Sequence, residues 1–150
     1  MFTDLLLAIF HHLLMFMLFA VLVSELILMR SGLSGRELKA LVHVDRMYGL
    51  VALAIIAVGI GRVVYGLKGW EYYLTNGAFW AKMAAFIAVG IISFRPTMRI
   101  MQWSRASRSA TGGYIVPDIE IAAMRRYLLG EVAVFALIPI FAAMMARGIG

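Results

Sequence analysis

The stretch of residues 5–29, LLLAIFHHLLMFMLFAVLVSELILM, decides the fold class of this chain, because it is long, apolar and almost free of charge. A membrane hydrocarbon core about 30 Å thick is crossed by a helix of about 17–25 residues. Three further stretches meet this requirement, at about residues 47–66, 77–94 and 127–146. The sequence therefore predicts an all-α, integral membrane protein in which one domain, residues 1–150, forms a four-helix transmembrane bundle.

The amino-acid composition supports the same class of protein. Of the 150 residues, 63% are hydrophobic and 15% are charged, whereas a soluble domain is about half apolar and a quarter charged. The chain has no cysteine, which excludes disulfides, thiolate metal sites and cysteine nucleophiles. Its net charge of +6 comes from basic residues beside the apolar stretches, where they meet anionic lipid headgroups. We therefore expect membrane lipids, and no nucleic acid, among its partners.

The distribution of basic residues predicts how the bundle is oriented. The connections before residue 47 and after residue 94 are rich in arginine and lysine, which is typical of the cytoplasmic side. The connection at residues 67–76 contains Lys68 beside Glu71 and several aromatic residues, which suit the opposite headgroup layer. Both termini and residues 67–76 are therefore predicted to face outward.

Two prolines are expected to shape the helices. Pro96 follows the third apolar stretch and is predicted to end its helix, because the residue before a proline is pushed out of the α region. Residues 97–107 would then form a separate, short amphipathic helix in the membrane interface. Pro139 lies inside the fourth stretch and predicts a kink there.

Polar side chains inside the apolar stretches are the strongest indication of function, because a charged side chain at a helix centre costs about 2.5–3.5 kcal/mol. At 1.5 Å per residue, four such side chains are predicted to lie about 6–11 Å below the outer ends of their helices: His11, His12, Arg62 and Lys82. No acidic residue is predicted at this depth. The layer is therefore expected to hold neutral histidines and to acquire an anion, such as a propionate, a lipid phosphate or a carboxylated substrate.

These four residues also have purely structural interpretations. The long side chains of Arg62 and Lys82 can extend to the membrane surface, and a neutral histidine can form a hydrogen bond between helices. Alternatively, an imidazole nitrogen of His11 or His12 binds a metal or a haem iron. Because adjacent helical residues point about 100° apart, the two histidines cannot share one narrow face, and the sequence leaves open which of them faces the bundle.

Glu25 and Glu131 form a second predicted layer, about one turn inside the opposite ends of the first and fourth helices. In one interpretation each carboxylate pairs with nearby arginines and locks the helix ends together, the candidates being Arg30, Arg46, Arg125 and Arg126. In the other, the two carboxylates carry protons or ions, as intramembrane acids often do. The protein would then be a small transporter or proton-coupled carrier.

Several residues and short motifs follow a pattern known from one family: Arg62, Lys68-Gly69, Tyr73, Asn76, Phe79-Trp80-Ala81-Lys82, Pro96-Thr97, Trp103 and Met144-Met145-Ala146-Arg147-Gly148. In these positions, and over nearly its whole length, the chain resembles an uncharacterised family of small predicted bacterial membrane proteins. The resemblance implies a multi-pass protein of the bacterial cytoplasmic (inner) membrane. It implies no activity, because that family has none to carry over.

Other features match a second family: His12 early in the first helix, Arg30 after its inner end, Arg46-Met47-Tyr48 at the entry to a later helix, and Trp80 two residues before Lys82. In these features the chain is distantly similar to the haem-b-containing, membrane-embedded protoporphyrinogen IX oxidase of bacteria. That resemblance implies His12 and Lys82 as the functional pair, with His12 implicated in haem binding. The chain departs from that family in having Trp80 where a histidine is common, and in carrying the extra His11.

These residues and resemblances lead to two expectations about function, from different classes of protein. The first is a haem-b-binding redox protein, extending to an oxidoreductase that acts on a tetrapyrrole or another anionic substrate at the outer leaflet. His12 or His11 would be an axial iron ligand, Lys82 and Arg62 would hold the propionates or the substrate, and Lys82 is the candidate catalytic residue. The alternative is a non-enzymatic membrane subunit, a homo-oligomer or an assembly partner of a larger complex. The sequence leaves open whether the protein is an enzyme.

Overall fold

The computed structural model of the chain describes residues 2–65 and 69–148, and helices account for every regular element within those two ranges. In chain order they are α1 (Phe2–Leu28), α2 (Gly35–Tyr65), α3 (Gly69–Thr75), α4 (Gly77–Ser109), α5 (Asp118–Phe135) and α6 (Leu137–Ala146). Within the described residues, α1, α2, α4 and the joined pair α5–α6 are long and apolar enough to cross a membrane. The predicted all-α fold with four membrane-crossing helices is therefore confirmed. Gly66 and Lys68, which the sequence predictions used, lie outside the described residues.

The four spans run antiparallel, so their ends gather at two ends of the bundle. At the end where α1 begins and α6 ends, Leu7 of α1 lies against Gly61 of α2. At the same end the Tyr72 hydroxyl of α3 donates a 3.1 Å hydrogen bond to the Met145 carbonyl of α6. We call this the terminus end. The opposite end carries the α1–α2 and α4–α5 connections, and we call it the loop end.

The two connections at the loop end are paired by main-chain contacts. The Val116 amide donates a 3.0 Å hydrogen bond to the Leu33 carbonyl, beside an isolated antiparallel bridge between Ser34 and Ile115. Gly32 takes a φ of +79°, which glycine adopts at low cost, and this permits the turn out of α1. Leu33 and Val116 are almost completely buried. The loop end is therefore closed by two connections packed against each other.

At the loop end, Arg125 of α5 binds the end of α1. Its Nη1 donates hydrogen bonds to the carbonyls of Leu26, at 2.9 Å, and Met29, at 2.7 Å. These carbonyls lie where α1 ends, and a helix leaves its last four carbonyls without partners inside the helix. The Arg125 guanidinium thus caps α1 from a helix that lies about a hundred residues later in the chain.

One predicted helix end is wrong, because α4 continues through Pro96 to Ser109 instead of ending before the proline. A proline inside a helix removes one main-chain hydrogen bond, but neighbouring contacts can hold the helix in line. Such contacts are present here, since Pro96 is buried and the next residue, Thr97, donates a 2.6 Å hydrogen bond to Asp45 Oδ1 of α2. Residues 97–107 are consequently part of α4 and not a separate interfacial helix.

The other helix boundaries follow local chemistry. Pro139 has no amide hydrogen for the Phe135 carbonyl one turn earlier, and the last span breaks there into α5 and α6, in agreement with the predicted kink. α2 begins at Gly35, well before the predicted apolar span. The predicted start differs from the observed one because hydropathy marks only the part of a helix that lies in hydrocarbon, and not the residue where the helix begins.

The outward orientation of the terminus end remains a prediction, and the absence of native cysteine makes it simple to test. Leu74 at the terminus end and Thr111 at the loop end are both exposed. We expect Leu74→Cys to react with a membrane-impermeant maleimide in intact spheroplasts, and Thr111→Cys to react only after permeabilisation. The reverse labelling pattern would place both termini in the cytoplasm.

Candidate functional site

The structure separates the two histidines of α1. His11 faces α2, because its Cε1 lies 3.8 Å from the position that a Cβ on Gly59 would take, and its Nδ1 is buried without a hydrogen-bond partner. His12 is exposed on the outside of the bundle, and its Nδ1 lies 2.7 Å from the Ala8 carbonyl, one turn earlier in α1. The fold therefore directs His11 into the bundle and His12 away from it.

A cavity of about 220 Å³ lies between α1, α2 and α4, with Ile138 of α6 at its side. His11 and Lys82 supply its polar side chains, and every other lining residue is apolar. The Lys82 ammonium lies 5.3 Å from the centroid of the Phe79 ring, a distance at which an aromatic face attracts a cation. His12 does not line this cavity. The structure thus brings His11, and not His12, together with Lys82.

Arg62 of α2 completes a group of basic side chains, and we call His11, Arg62 and Lys82 the basic cluster. Arg62 is half-buried, lies near both His11 and Lys82, and its Nε has no hydrogen-bond partner. Within residues 2–65 and 69–148, the ion pairs lie nearer the loop end, and none of them includes Arg62 or Lys82. These three basic side chains therefore lie near one another with no ion-paired acid among the described residues, and their role stays a prediction.

The basic cluster offers one imidazole and two cationic side chains as groups that could hold a cofactor. In the described part of the chain, no group of three or more histidine, aspartate or glutamate side chains is arranged to hold a metal ion. An imidazole is one of the usual axial ligands of haem iron and cations can pair with its propionates, so His11, Arg62 and Lys82 are the residues that would hold it. The cavity is smaller than the roughly 300–1,000 Å³ of typical ligand sites, so a tetrapyrrole bound here would extend beyond it toward lipid.

A second polar group lies in the half of the bundle nearer the loop end. The side chains of Glu25, Asp45 and Glu131 are 3%, 7% and 1% exposed, and Tyr48 lies beside Glu131. One Glu25 oxygen and both Glu131 oxygens have no hydrogen-bond partner of normal geometry. The predicted pairing of Glu25 and Glu131 with arginines is wrong, since no ion pair among the described residues includes them. Arg125 contacts main-chain carbonyls instead.

The sequence predictions missed Asp45, although a signal for it exists. Buried residues recur along α2 every three or four positions, at 38, 41, 45, 48, 51 and 55. Asp45 occupies one of these positions, so helical periodicity alone places it in the core. The polar segment around it, before the apolar span, hid this pattern. Acids buried inside membrane spans often mark proton and ion pathways, so the carrier hypothesis for Glu25 and Glu131 stays a prediction. Asp45 lies just before the apolar span predicted to begin at about residue 47.

Comparison with known proteins places the chain in a family. A family model described as "Predicted membrane protein (DUF2214)" matches residues 3–150, and this description names no activity, ligand or partner. No curated protein and no solved structure matches the chain. The expected likeness to an uncharacterised family of membrane proteins is confirmed, whereas none of the comparisons supports the more distant likeness to the haem-b protoporphyrinogen IX oxidase.

Proposed function

The chain belongs to the DUF2214 family of predicted membrane proteins, and from this premise we propose that it binds an amphipathic anion within the membrane, with haem b as the specific candidate. One observation carries the proposal. The basic cluster places positive charge beside an apolar cavity, and none of the acidic residues that the structure describes pairs with it.

The charges of the basic cluster favour an anionic ligand. Taking a cation out of water costs several kcal/mol, and an opposite charge at short range offsets part of that cost. Arg62 and Lys82 also repel each other at low dielectric, so an anion shared between them relieves both effects. A carboxylate or a phosphate has suitable acceptor oxygens, because arginine and lysine side chains only donate hydrogen bonds.

The walls of the cavity favour a ligand whose remaining part is apolar. Apart from His11 and Lys82, the lining consists of aliphatic, aromatic, methionine and glycine residues. These side chains offer no strong hydrogen-bonding group to a polar ligand. Gly59 keeps the space beside His11 free of a side chain. A molecule with one anionic end and a hydrocarbon or ring body satisfies both the charges and the walls.

Haem b fits this description in one further respect, because it takes an imidazole ligand. His11 would provide that ligand through a ring nitrogen, while Arg62 and Lys82 would hold the propionates. When bound, haem b would supply one-electron chemistry at its iron. In an oxidoreductase, an anionic substrate such as a tetrapyrrole would meet Lys82 in place of a haem propionate, which makes Lys82 the candidate catalytic residue. His12 is the weaker candidate ligand, because it is exposed outside the bundle.

The test for haem b is the absorbance of protein purified in mild detergent from haem-sufficient cells. We expect a Soret band that is retained in His12→Ala and lost in His11→Ala, because only His11 lines the cavity. Colourless protein that also takes up no added hemin would reject haem b. The broader proposal of an amphipathic anion would then depend on the binding experiment with Lys82.

Lys82→Met is expected to weaken binding of an amphipathic anion about ten-fold or more while leaving the protein folded. A hydrogen bond to a charged group contributes about 1.5–3 kcal/mol, and about 1.4 kcal/mol corresponds to a ten-fold change in affinity. Methionine has a similar shape and removes an unpaired charge, so stability should be unchanged or higher. Binding is measured in nanodiscs of zwitterionic lipid, as immobilisation of a spin-labelled stearate and as absorbance changes of hemin.

Arg36→Met is the matched control, because Arg36 is an exposed cation at the loop end, away from the basic cluster. Unchanged affinity in folded Lys82→Met protein would contradict the proposal. A misfolded Lys82→Met protein would show that the basic cluster is structural. The alternative function, a non-enzymatic membrane subunit, predicts full function of Lys82→Met and His11→Ala together with stable co-purification of a protein partner.

A further inference from the structure

We propose that a basic groove at the loop end binds the phosphate group of an anionic membrane lipid. The groove lies between α2 and α4, has a volume of about 300 Å³, and is at the opposite end of the bundle from the basic cluster. Its polar lining consists of Lys39, His43 and Arg46 of α2 and Ser104, Ser107 and Arg108 of α4. Leu38 and Val42 supply the apolar part of the lining.

Helical spacing explains why these polar side chains converge. Lys39, His43 and Arg46 follow one another at intervals of four and three residues, so they project from one side of α2. The three lining residues of α4 occupy positions i, i+3 and i+4, which again share one face of a helix. The polar side chains of these two helix faces, which are all basic or hydroxyl groups, therefore meet across the groove.

The chemistry of the groove is that of an anion site. Three of its side chains carry a positive charge, two carry hydroxyls and one is an imidazole, while no carboxylate lines it. Arginine and lysine can only donate, and serine hydroxyls can donate as well. The complementary ligand is an anion with several acceptor oxygens directed to different sides. Phosphate meets this requirement better than a carboxylate, which has only two oxygens.

A contact beside the groove holds its two walls together. Thr97 of α4 donates a 2.6 Å hydrogen bond to Asp45 of α2, the residue that directly precedes Arg46. Both groups are at least partly buried. Because this hydrogen bond fixes α2 and α4 relative to each other, the donors on the two walls lose less conformational entropy when a ligand binds.

The depth of the groove favours a lipid phosphate over a soluble one. The α2 part of the groove, residues 39–46, directly precedes the apolar span predicted to begin at about residue 47. At 1.5 Å per residue, these residues lie about 2–12 Å beyond the hydrocarbon, which overlaps a headgroup layer about 5–8 Å thick. Leu38 and Val42 can contact the glycerol and the first acyl carbons of a lipid whose phosphate meets the basic side chains.

The test compares two double variants that remove the same charge. Lys39→Ala with Arg108→Ala deletes two cations from the groove, whereas Arg36→Ala with Arg105→Ala deletes two exposed cations of the same helices outside it. Retention of phosphatidylglycerol by the full-length protein is measured by native mass spectrometry after release from mixed-lipid nanodiscs. We expect about ten-fold weaker retention in the groove variant, and less than about two-fold in the control.

A second arm identifies the source of the phosphate by titrating inorganic pyrophosphate into detergent-solubilised protein. Groove-dependent binding of pyrophosphate without retention of phosphatidylglycerol would overturn the lipid as the ligand. Equal losses in both double variants would show that only net charge matters, and would overturn the groove as a site. If the alanine variant does not fold, Lys39→Gln with Arg108→Gln replaces it, because glutamine keeps the first three side-chain carbons and a polar end and removes the charge.

Discussion

Trp103→Ala is expected to lower the free energy of unfolding by about 3–5 kcal/mol, which is the cost of removing a large aromatic side chain from a packed core. Trp103 is only 2% exposed. Its Nε1 donates a 2.7 Å hydrogen bond to Glu120 Oε2, so alanine leaves both a cavity and a carboxylate without that donor. Since folded proteins are stable by about 5–15 kcal/mol, this single change removes a large part of the total.

The measurement is unfolding of the purified protein in mixed micelles, followed by circular dichroism as the fraction of denaturing detergent rises. Trp70→Ala is the matched control, because Trp70 is 59% exposed and its removal should change the free energy by about 0.5 kcal/mol or less. Equal losses in the two variants would contradict the burial of Trp103 in the core.

Arg125→Ala is expected to cost about 3–5 kcal/mol of unfolding free energy. Its Nη1 makes two hydrogen bonds, to the carbonyls of Leu26 and Met29, and a hydrogen bond to a charged group contributes about 1.5–3 kcal/mol. Both carbonyls would lose a donor at a helix end, and Met29 is fully buried, so water cannot easily replace the guanidinium. Arg125→Lys should recover part of this loss, because one ammonium can reach a carbonyl but lacks the planar fork.

Arg126 provides the control for this prediction, since it is the next residue along α5 and is exposed. Arg126→Ala removes the same charge without touching α1, and we expect a change of about 0.5 kcal/mol or less. The same micelle titration reports both variants. A loss in Arg126→Ala as large as that in Arg125→Ala would show that net charge, and not the capping of α1, is responsible.

The sequence predicted the four spans because length and hydropathy are sufficient to identify a segment that crosses hydrocarbon. It failed at Pro96, because local rules for proline take no account of burial or of the Thr97–Asp45 hydrogen bond from a neighbouring helix. It also failed to place Asp45 in the core, because the apolar composition that drew attention to Glu25 and Glu131 is absent around that residue.

For the basic cluster, counting residues from the helix ends was enough to predict that Arg62, Lys82 and a histidine lie at similar depth. The rotation of α1 was not predictable in the same way. Two adjacent histidines differ by about 100° in direction, and only the packing of α1 against Gly59 of α2 decides that His11 faces inward. The pairing of His12 with Lys82, implied by resemblance alone, therefore has no counterpart in the cavity.

The hydrogen bonds from Arg125 to the end of α1 have a consequence for biosynthesis. The ribosome reaches Arg125 only 96 to 99 residues after the carbonyls that it caps, which is about 5–20 s of translation. During that interval the nascent α1 is already long enough to enter the membrane, but its last carbonyls lack their partner. Release of the finished bundle from the insertion machinery should therefore wait for α5, and chains truncated before residue 118 should be degraded quickly.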